Sequence, residues 1–411
     1  HPCHVRMSSH SSAPRGGSSN RTGGSAKAGA KKAGNWGGSA KQSSATPQYK
    51  YSTAAAPSTG IAPTAKTSHA SQPKGGQRGG RGGRGHSSHQ VQPHGVVLPP
   101  ASEQYPLIDI GANLCHRDFQ ADLPALIKRS QEANVSPIIV TGTSVRASEQ
   151  AVQLCASYPG VLYSTAGVHP HDAKSCTDKT ITRLRELATA KGSSVLAIGE
   201  CGLDFDRNFS EPAVQEKWFA EQLKLAGELK LPVFLHERSA FKRFVEILEE
   251  NKDHVELSTC VVHCFTGNAA ELKKYLSMGM YIGITGWVTN LDKGKDLRAA
   301  VKSIPLDRIM IETDAPFLAP RNGKDESGGR VRVNRNEPEL LHLVLQELAD
   351  CMGVTPQALA EASTANARRF FRVPTTTTTT ADAAASSSAP QEKTSSSAST
   401  AAAASSSAPK P

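Results

Sequence analysis

The sequence predicts an α/β fold, a (β/α)8 TIM barrel with a disordered tail at each end. Three observations support this prediction. Eight short apolar runs alternate with amphipathic helical patterns between residues 105 and 372. This stretch of about 268 residues has the size that is typical of one such barrel. Both ends of the chain are instead rich in Ser, Gly, Ala, Thr and Pro and carry no apolar periodicity.

The alternation defines each element in turn. Ser210 before Glu211-Pro212 and Thr355 before Pro356 mark helix starts, because a capping residue precedes a proline at the first helical position. No GxGxxG follows the first strand, so a closed barrel is favoured over an open nucleotide-binding sheet. The predicted strands are 107–112, 137–142, 162–167, 195–199, 232–236, 260–264, 280–285 and 309–313. The predicted helices are 119–134, 146–157, 179–191, 211–230, 239–250, 269–278, 296–303, 337–351 and 356–371.

The tails differ from the barrel in composition and charge. The first hundred residues contain 13 Lys and Arg and no Asp or Glu, while the whole chain carries +10, which leaves −3 for the rest. Residues 1–104 are therefore predicted to be a disordered basic tail that cannot bury enough apolar surface to fold. Within it, residues 78–85 resemble an RGG segment of the kind that binds RNA. Residues 373–411 form the second predicted tail.

The cysteines and the apolar runs indicate in which kind of cellular compartment the protein is expected. Its eight cysteines include no CxxC pair, which argues against a zinc ribbon or disulfide framework and favours a reducing compartment. No apolar run approaches the ~20 residues that span a bilayer. We expect a monomer that does not bind membranes, in the cytoplasm or the nucleus. A Ser-rich, acid-free N-terminus also leaves organellar targeting open.

Acidic and histidine residues stand at the ends of several predicted strands. Glu200, His236 and His263 each close or directly follow an apolar run, and Glu312 and Asp314 follow the core of the last one. Because the carboxyl ends of parallel strands meet at one mouth of a barrel, these side chains are expected to converge. Alternation puts Glu312 and Asp314 on one face, where two carboxylates need a cation. The pattern predicts a divalent-metal site, with Mg2+, Mn2+ and Zn2+ all open.

Further polar residues lie at the same predicted mouth. His169, Asp204 and Arg238 follow the third, fourth and fifth strands and are predicted to contact substrate. Arg335 lies in a cationic loop after the last strand, where barrels commonly bind phosphate.

Three neighbouring residues are predicted to lie outside the site. His171 and Glu237 are interpreted as structural or exposed residues. Cys264 follows His263 directly, so strand alternation turns its thiol away from the site and towards a covering helix.

Seven motifs spread over about 106–372 resemble those of the TatD family of metal-dependent nucleases, within the amidohydrolase-like barrel superfamily. They are DIGANL at 109–114, STAGVHPH at 164–171, AIGECGLDF at 197–205, VHCFTG at 262–267, YIGITGW at 281–287, ETDAPF at 312–317 and RNEP at 335–338.

The resemblance implies a metal-dependent deoxyribonuclease that hydrolyses phosphodiester bonds. It implies a 3′→5′ exonuclease acting on single-stranded DNA, with RNA as a further candidate substrate and partner. Glu200, His236, His263 and Asp314 are the metal ligands that it implies. Asp314 would orient or deprotonate the attacking water, and Glu200 and Glu312 complete the catalytic set.

The resemblance also bears on the metal and on the substrate contacts. Many family members carry a His-x-His pair at the end of the first strand, where this chain has Gly111 and Asn113. This difference favours one firmly held metal, with a second that substrate helps to complete, and favours Mg2+, with Mn2+ or Zn2+ as alternatives. Arg238 and Arg335 would offset the charge of the phosphate, and His169 would contact the phosphate or the leaving group.

Two other functions stay open on the sequence. A barrel of this kind can hydrolyse another bond, such as an amide or an aminoacyl-tRNA ester, because fold does not determine function. The chain can also be a non-enzymatic RNA-binding protein that acts through its RGG-like tail.

Overall fold

A computed structural model of the chain describes residues 94–374. The predicted N-terminal tail lies outside the described residues up to residue 93, together with its RGG-like segment, and the predicted C-terminal tail lies outside them from residue 375. Within the described range, no helix is long and apolar enough to cross a membrane. The described cysteines are all free thiols.

Eight parallel strands pair in sequence order to form one sheet. A parallel bridge between Ala112 and Ala315 joins the end of the first strand to the segment after the last, so the sheet curls into a barrel. The predicted (β/α)8 TIM barrel is confirmed. The strands are Leu107–Ala112 (β1), Val135–Val140 (β2), Leu162–Ala166 (β3), Val195–Asp204 (β4), Val233–Arg238 (β5), Cys260–Val262 (β6), Tyr281–Ile284 (β7) and Ile309–Ile311 (β8).

Helices follow the strands along the chain and cover the outside of the barrel, as their alternation in the sequence predicts. Proline at the first position opens the helix after β4 and the last helix, as predicted, and Thr355 caps the last helix. The prediction of Ser210 as a cap was wrong, because Glu211 precedes the helix and the hydroxyl of Ser210 donates to the carbonyl of His171. The α-helices are Leu123–Glu132 (α1), Val145–Ser157 (α2), Thr180–Thr189 (α3), Pro212–Leu229 (α4), Phe241–Glu250 (α5), Ala269–Ser277 (α6), Lys295–Ala300 (α7), Leu341–Met352 (α8) and Pro356–Phe371 (α9).

Two strands differ from their predicted lengths in a way that shapes the site. β4 continues to Asp204, well beyond the apolar run that ends at residue 199, because it keeps pairing with β5 as far as Arg238. The register shifts between Gly199 and Cys201, so Glu200 is the extra residue of a β-bulge. β8 ends already at Ile311, and beyond it single backbone hydrogen bonds, among them those from Glu312 to Ile284 and from Asp314 to Gly111, hold the chain to its neighbours.

An apolar cluster fills the barrel interior and is covered at the amino-terminal end of the strands. Ile110, Phe234 and Met310 are fully buried there with their neighbours. The ring of Phe370, from α9, lies 5.3 Å from that of Tyr281 at the start of β7. The last helix therefore lies across the amino-terminal end of the strands. The carboxyl end of the barrel is left for the site.

The packed part of the chain begins before residue 105, where the barrel was predicted to start. Val96 is buried in an apolar cluster with Val333, Leu340 and Leu343, and the backbone N–H of Val97 donates to the carbonyl of Lys324 at 2.9 Å. This short segment therefore packs against the loop that follows β8, at the carboxyl end of the barrel.

Candidate metal centre

The carboxylate of Glu200 lies at the centre of three imidazole rings. Its Oε1 is 2.8 Å from Nε2 of His263, 2.9 Å from Nδ1 of His236 and 3.3 Å from Nε2 of His169. These residues come from four successive positions around the mouth, after β3, in β4, in β5 and after β6. All four side chains are at least four-fifths buried. The strand-end acids and histidines of β4, β5 and β6 therefore meet at one point.

The bulge in β4 turns Glu200 towards the histidines. Gly199 has φ of +136°, a conformation open to glycine, and a Cβ there would collide with the carbonyl oxygen of Phe234. The backbone N–H of Glu200 donates to the carbonyl of Gly142 at 2.8 Å, which ties the bulge to the end of β2. The local backbone thus requires glycine immediately before the site carboxylate.

The ionised states of Glu200 and His263 stabilise each other. Burial opposes ionisation of Glu200, but the charge of His263 and the hydrogen bonds of His169 and His236 outweigh it and hold the pKa of the carboxyl well below its ordinary value. Burial also opposes protonation of His263, yet Glu200 and Glu312 hold the pKa of this imidazole well above its ordinary value. Glu200 and His263 are therefore an ion pair.

The donor set fits a divalent cation. Ligand atoms of His169, Glu200 and His236 lie within 4.8 Å of one another, and imidazole nitrogens with a carboxylate oxygen are a common ligand set for such ions. Nε2 of His236 is buried and makes no hydrogen bond among the described residues, and Oδ2 of Asp204 lies 3.8 Å from it. A buried nitrogen without a hydrogen bond costs free energy unless something binds it, and a metal ion between it and the carboxylates would.

His169 differs from the other two histidines in its hydrogen bonding. Its Nδ1 accepts the backbone N–H of His171 at 3.1 Å, and burial, opposed by Glu200, lowers the pKa of the ring to about 4. A neutral imidazole whose Nδ1 accepts carries its proton on Nε2. Nε2 of His169 therefore donates into the site, a role that suits its predicted contact with substrate better than metal ligation.

Glu312 and Asp314 are close to each other but are held by different partners. Glu312 lies 3.4 Å from Nδ1 of His263 through Oε2, and its Oε1 accepts the backbone N–H of Cys264. Asp314 has φ of +55° and its Oδ1 accepts the side-chain N–H of Asn113 at 2.9 Å. The prediction derived their common face from strand alternation, but β8 ends before both residues. A turn, not a strand, brings the two carboxylates together.

The residues that replace the His-x-His pair have definite contacts. A Cβ at Gly111 would lie 2.7 Å from Oε2 of Glu312, and a Cβ at Gly283 would lie 2.7 Å from its Oε1. Glycine at both positions therefore makes the slot that Glu312 occupies. Asn113 supplies the hydrogen bond to Asp314. Burial and the charges of Glu200 and Glu312, opposed by His263, raise the pKa of Asp314 to about 7.

The predicted substrate contacts divide into two groups. Asp204 is buried and accepts from Nε2 of His171 at 2.6 Å, beside the cluster. Arg238, at the end of β5, pairs at 2.8 Å with Asp206 in the loop after β4. Arg335 is held elsewhere, because its guanidinium binds Asp122 and Glu337 at 2.7 Å each. Among the contacts of the described residues, none joins Arg335 to the histidine cluster.

The residues that were predicted to lie outside the site are in part inside it. The ring of His171 lies 4.2 Å from that of His169, so this histidine borders the cluster. Cys264 has φ of +48°, which breaks the alternation assumed for it. Its sulfur lies 3.9 Å from the hydroxyl oxygen of Thr285, directly after β7, and not against a covering helix. Burial, together with the charges of Asp314 and Glu312, raises the pKa of the thiol well above the ordinary value. The prediction for Cys264 was wrong.

Glu237 has the structural role predicted for it. Its Oε1 accepts the backbone N–H of Ala240 at 2.8 Å, and its Oε2 accepts the hydroxyl of Tyr275 at 3.1 Å. The side chain thus caps the start of α5 and ties it to α6.

Comparison with known proteins agrees with this geometry. A family profile described as TatD related DNase matches residues 108–372. The 3'-5' ssDNA/RNA exonuclease TatD of Yersinia pseudotuberculosis is 46% identical over 267 residues, which are 65% of this chain and 100% of that protein. The protein of the same name from Pectobacterium atrosepticum is 44% identical, with the same coverage of both chains.

Solved structures give the same answer. A TatD homologue from Escherichia coli K12 is 26% identical with a TM-score of 0.59, covering 66% of this chain and 100% of its own. An uncharacterized amidohydrolase from Saccharomyces cerevisiae is also 26% identical, with a TM-score of 0.56 and coverage of 65% and 99%. Because the profile spans more than half of the sequence, this chain belongs to the TatD-related DNase family.

Proposed function

We propose that this protein is a divalent-metal-dependent 3′→5′ exonuclease that removes nucleotides from single-stranded DNA, and from RNA. The observation that carries the proposal is the carboxylate of Glu200 among three imidazoles at the mouth of the barrel, where Nε2 of His236 makes no hydrogen bond and lies 3.8 Å from Asp204. The relatives that are 44–46% identical, over their whole length, are named 3'-5' ssDNA/RNA exonucleases.

Glu200, His236, His263 and Asp314 are the residues that would hold the metal. When bound, the ion would polarise the scissile phosphate and lower the pKa of an attacking water. Mg2+ is the first candidate from the family resemblance, but imidazole ligands suit Mn2+ and Zn2+ better. All three ions therefore belong in the experiment.

The remaining residues of the site act on the substrate or on the ligands. His169 donates from Nε2, which currently points at Glu200 and would bind a phosphate oxygen when substrate enters. Glu312 fixes the ring of His263 through Nδ1, so it is a positioning residue. Asp314, oriented by Asn113, is placed to accept a proton from the water. Arg238 offsets phosphate charge at the edge of the site.

The test is digestion of a 5′-labelled single-stranded oligonucleotide in Mg2+, Mn2+ or Zn2+. Asp314→Asn should lower the rate by at least about a hundredfold, because removing a general base typically costs that much or more. Asp350→Asn is the matched control, since this exposed carboxylate lies at the end of α8, far from the mouth. It should digest as fast as the wild type.

The alternatives give different outcomes in the same experiment. Unchanged digestion by Asp314→Asn would contradict the proposed role of the site. If the wild type hydrolyses amide or aminoacyl ester substrates but no oligonucleotide, the barrel acts on another bond. If it binds RNA without cleaving any substrate in any of the three metals, the non-enzymatic alternative is correct.

A further inference from the structure

The loop between β4 and α4 presents an aromatic ring to solvent beside the histidine cluster. Phe209 is 47% exposed, and it is one of three large apolar side chains that are exposed in the described part of the chain, with Val97 and Leu291. Exposing a phenylalanine forfeits hydrophobic stabilisation of roughly 25 cal/mol for each Å2 left in water. A polar residue would avoid this cost, so the exposed ring calls for an explanation.

The loop is held rigidly although its middle is exposed. At one end, Oδ1 of Asp204 accepts the backbone N–H groups of residues 206 and 207 at 3.0 Å each. At the other end, the hydroxyl of Ser210 donates to the carbonyl of His171 at 3.0 Å, and Nε2 of Gln215 donates to the carbonyl of Ser210 at 2.7 Å. Phe209 lies directly before Ser210. Its ring is therefore preorganised, and a ligand would lose little free energy by binding it.

The ring of Phe209 also lies where a substrate bound at the metal centre would reach it. It lies 4.8 Å from the ring of His171, at 75° to it, and the ring of His171 lies 4.2 Å from that of His169. Nε2 of His169 in turn faces Glu200. An edge-to-face contact leaves at least one face of Phe209 clear of His171. A flat group next to a phosphate at the cluster would meet this face.

We propose that Phe209 is a stacking platform for an unpaired nucleobase of the nucleotide adjoining the scissile phosphodiester. The inference rests on the proposed nuclease function and names the part of the substrate that the rim of the site recognises. Stacking on an aromatic side chain tolerates any base, because every base has a π-face. Bases inside a duplex already have both faces covered, so this contact selects single strands.

The experiment combines protein and substrate changes in a double-mutant cycle. Full-length wild type and Phe209→Ala are compared on a 5′-labelled oligonucleotide and on the same oligonucleotide whose two 3′-terminal nucleotides are abasic. For the wild type, loss of the bases should lower kcat/KM about tenfold, as expected for one base–aromatic stack. Phe209→Ala should lose about as much on the normal oligonucleotide. It should discriminate between the two substrates by less than about twofold.

Two further variants separate stacking from packing. Phe209→Trp should restore most of the discrimination, whereas Phe209→Leu, apolar but not aromatic, should restore little of it. Leu291→Ala removes another exposed apolar side chain at the same end of the barrel and should leave the wild-type discrimination intact. Melting temperatures of all variants show whether any loss reflects unfolding.

Two outcomes would overturn the inference. One is a Phe209→Ala variant that discriminates between the substrates as the wild type does. The other is a Phe209→Leu variant that matches Phe209→Trp. If the wild type cleaves neither oligonucleotide, the proposed function fails separately. The same cycle is then measured as equilibrium binding of the two oligonucleotides by fluorescence anisotropy, with the same expected and opposing results.

Discussion

Two clusters in the described part of the molecule have the composition of a metal site, and they differ in what their donor atoms already bind. The first is His169, Glu200 and His236, and the second is His94, Glu337 and Glu339. In the first, Nε2 of His236 makes no hydrogen bond, with Oδ2 of Asp204 3.8 Å away, and Glu200 is bonded to imidazoles. A metal ion can replace the proton that His263 holds against Glu200.

Most polar side-chain atoms of the second cluster already form hydrogen bonds or ion pairs within the protein. Both ring nitrogens of His94 are bonded, Nδ1 to the backbone N–H of Val96 at 3.1 Å and Nε2 to Glu339 at 2.9 Å. Arg129 bonds Glu337 at 2.5 Å and Glu339 at 3.1 Å. A guanidinium already occupies the position of charge that a metal would take, although Oε2 of Glu339 lacks a hydrogen-bond partner.

Residue type and spacing therefore do not by themselves make a metal site. What the ligand atoms already bind decides as well, because a metal must replace it: a proton on His263 can be released, whereas the guanidinium of Arg129 stays charged between its two carboxylates. Arg335 belongs to the second cluster by its contact with Glu337. Its predicted role towards phosphate therefore competes with ion pairs that it already makes.

The largest effect that we expect separates the two clusters by metal binding. Glu200→Gln should abolish tight binding of Mn2+ and lower exonuclease activity on the order of a thousandfold, because the charge that attracts the ion is lost. Glu337→Gln should bind Mn2+ with the stoichiometry of the wild type. Isothermal titration calorimetry measures both. Loss of binding in Glu337→Gln alone would reverse the assignment.

The second effect concerns stability and the second cluster. Arg129→Met removes the cation that Glu337 and Glu339 share, so that Glu337 keeps Arg335 but Glu339 keeps only His94. Breaking a buried ion pair costs about 3–5 kcal/mol of unfolding free energy. Activity per folded molecule should stay within about twofold. Arg183→Met is the control, because Arg183 pairs with Glu149 and Glu186 on the exposed surface. Urea unfolding of both variants should show a large loss only for Arg129→Met.

The smallest effect is the pH dependence of metal affinity. The raised pKa of His263 means that this imidazole holds a proton at neutral pH, which a metal must displace. Affinity should therefore rise with pH, by about tenfold per unit, until the pH passes that pKa. Calorimetry in buffers of different ionisation enthalpy should show release of at least about one proton near pH 7, from His263 and in part from Asp314, whose pKa is about 7. Binding that is independent of pH between 6 and 8 would show that neither residue is a ligand.

Much of the barrel and of its site was predictable from local patterns. Apolar runs of strand length indicate strands that are buried on both faces, and apolar patterns with a 3.6-residue period indicate helices that are buried on one face. Both signals are local in the sequence. For the same reason, Glu200, His236 and His263 could be predicted to meet, since parallel strands in a barrel end at a common mouth. The proline-led starts of α4 and α9 are likewise local.

The errors arise where backbone geometry departs from strand alternation. The bulge at Glu200, the positive φ of Cys264 and the turn at Asp314 each change the direction of a side chain without any signal in the apolar pattern. A glycine before Glu200 was a clue to the first, because glycine within a strand often marks a bulge. His171 was underestimated because its neighbour in the site, Asp204, lies 33 residues away along the chain.

The sequence by itself determined the barrel, its boundaries to within about ten residues and the acids and histidines that gather at its mouth. These follow from hydrophobic periodicity and from the common direction of parallel strands. The packing of distant segments determines that a guanidinium occupies one of the two ligand-like clusters and not the other, and that the proton of His169 and the ring of Phe209 face the site. Those properties depend on which partner each polar atom has found, and partners that are distant in sequence leave no local pattern.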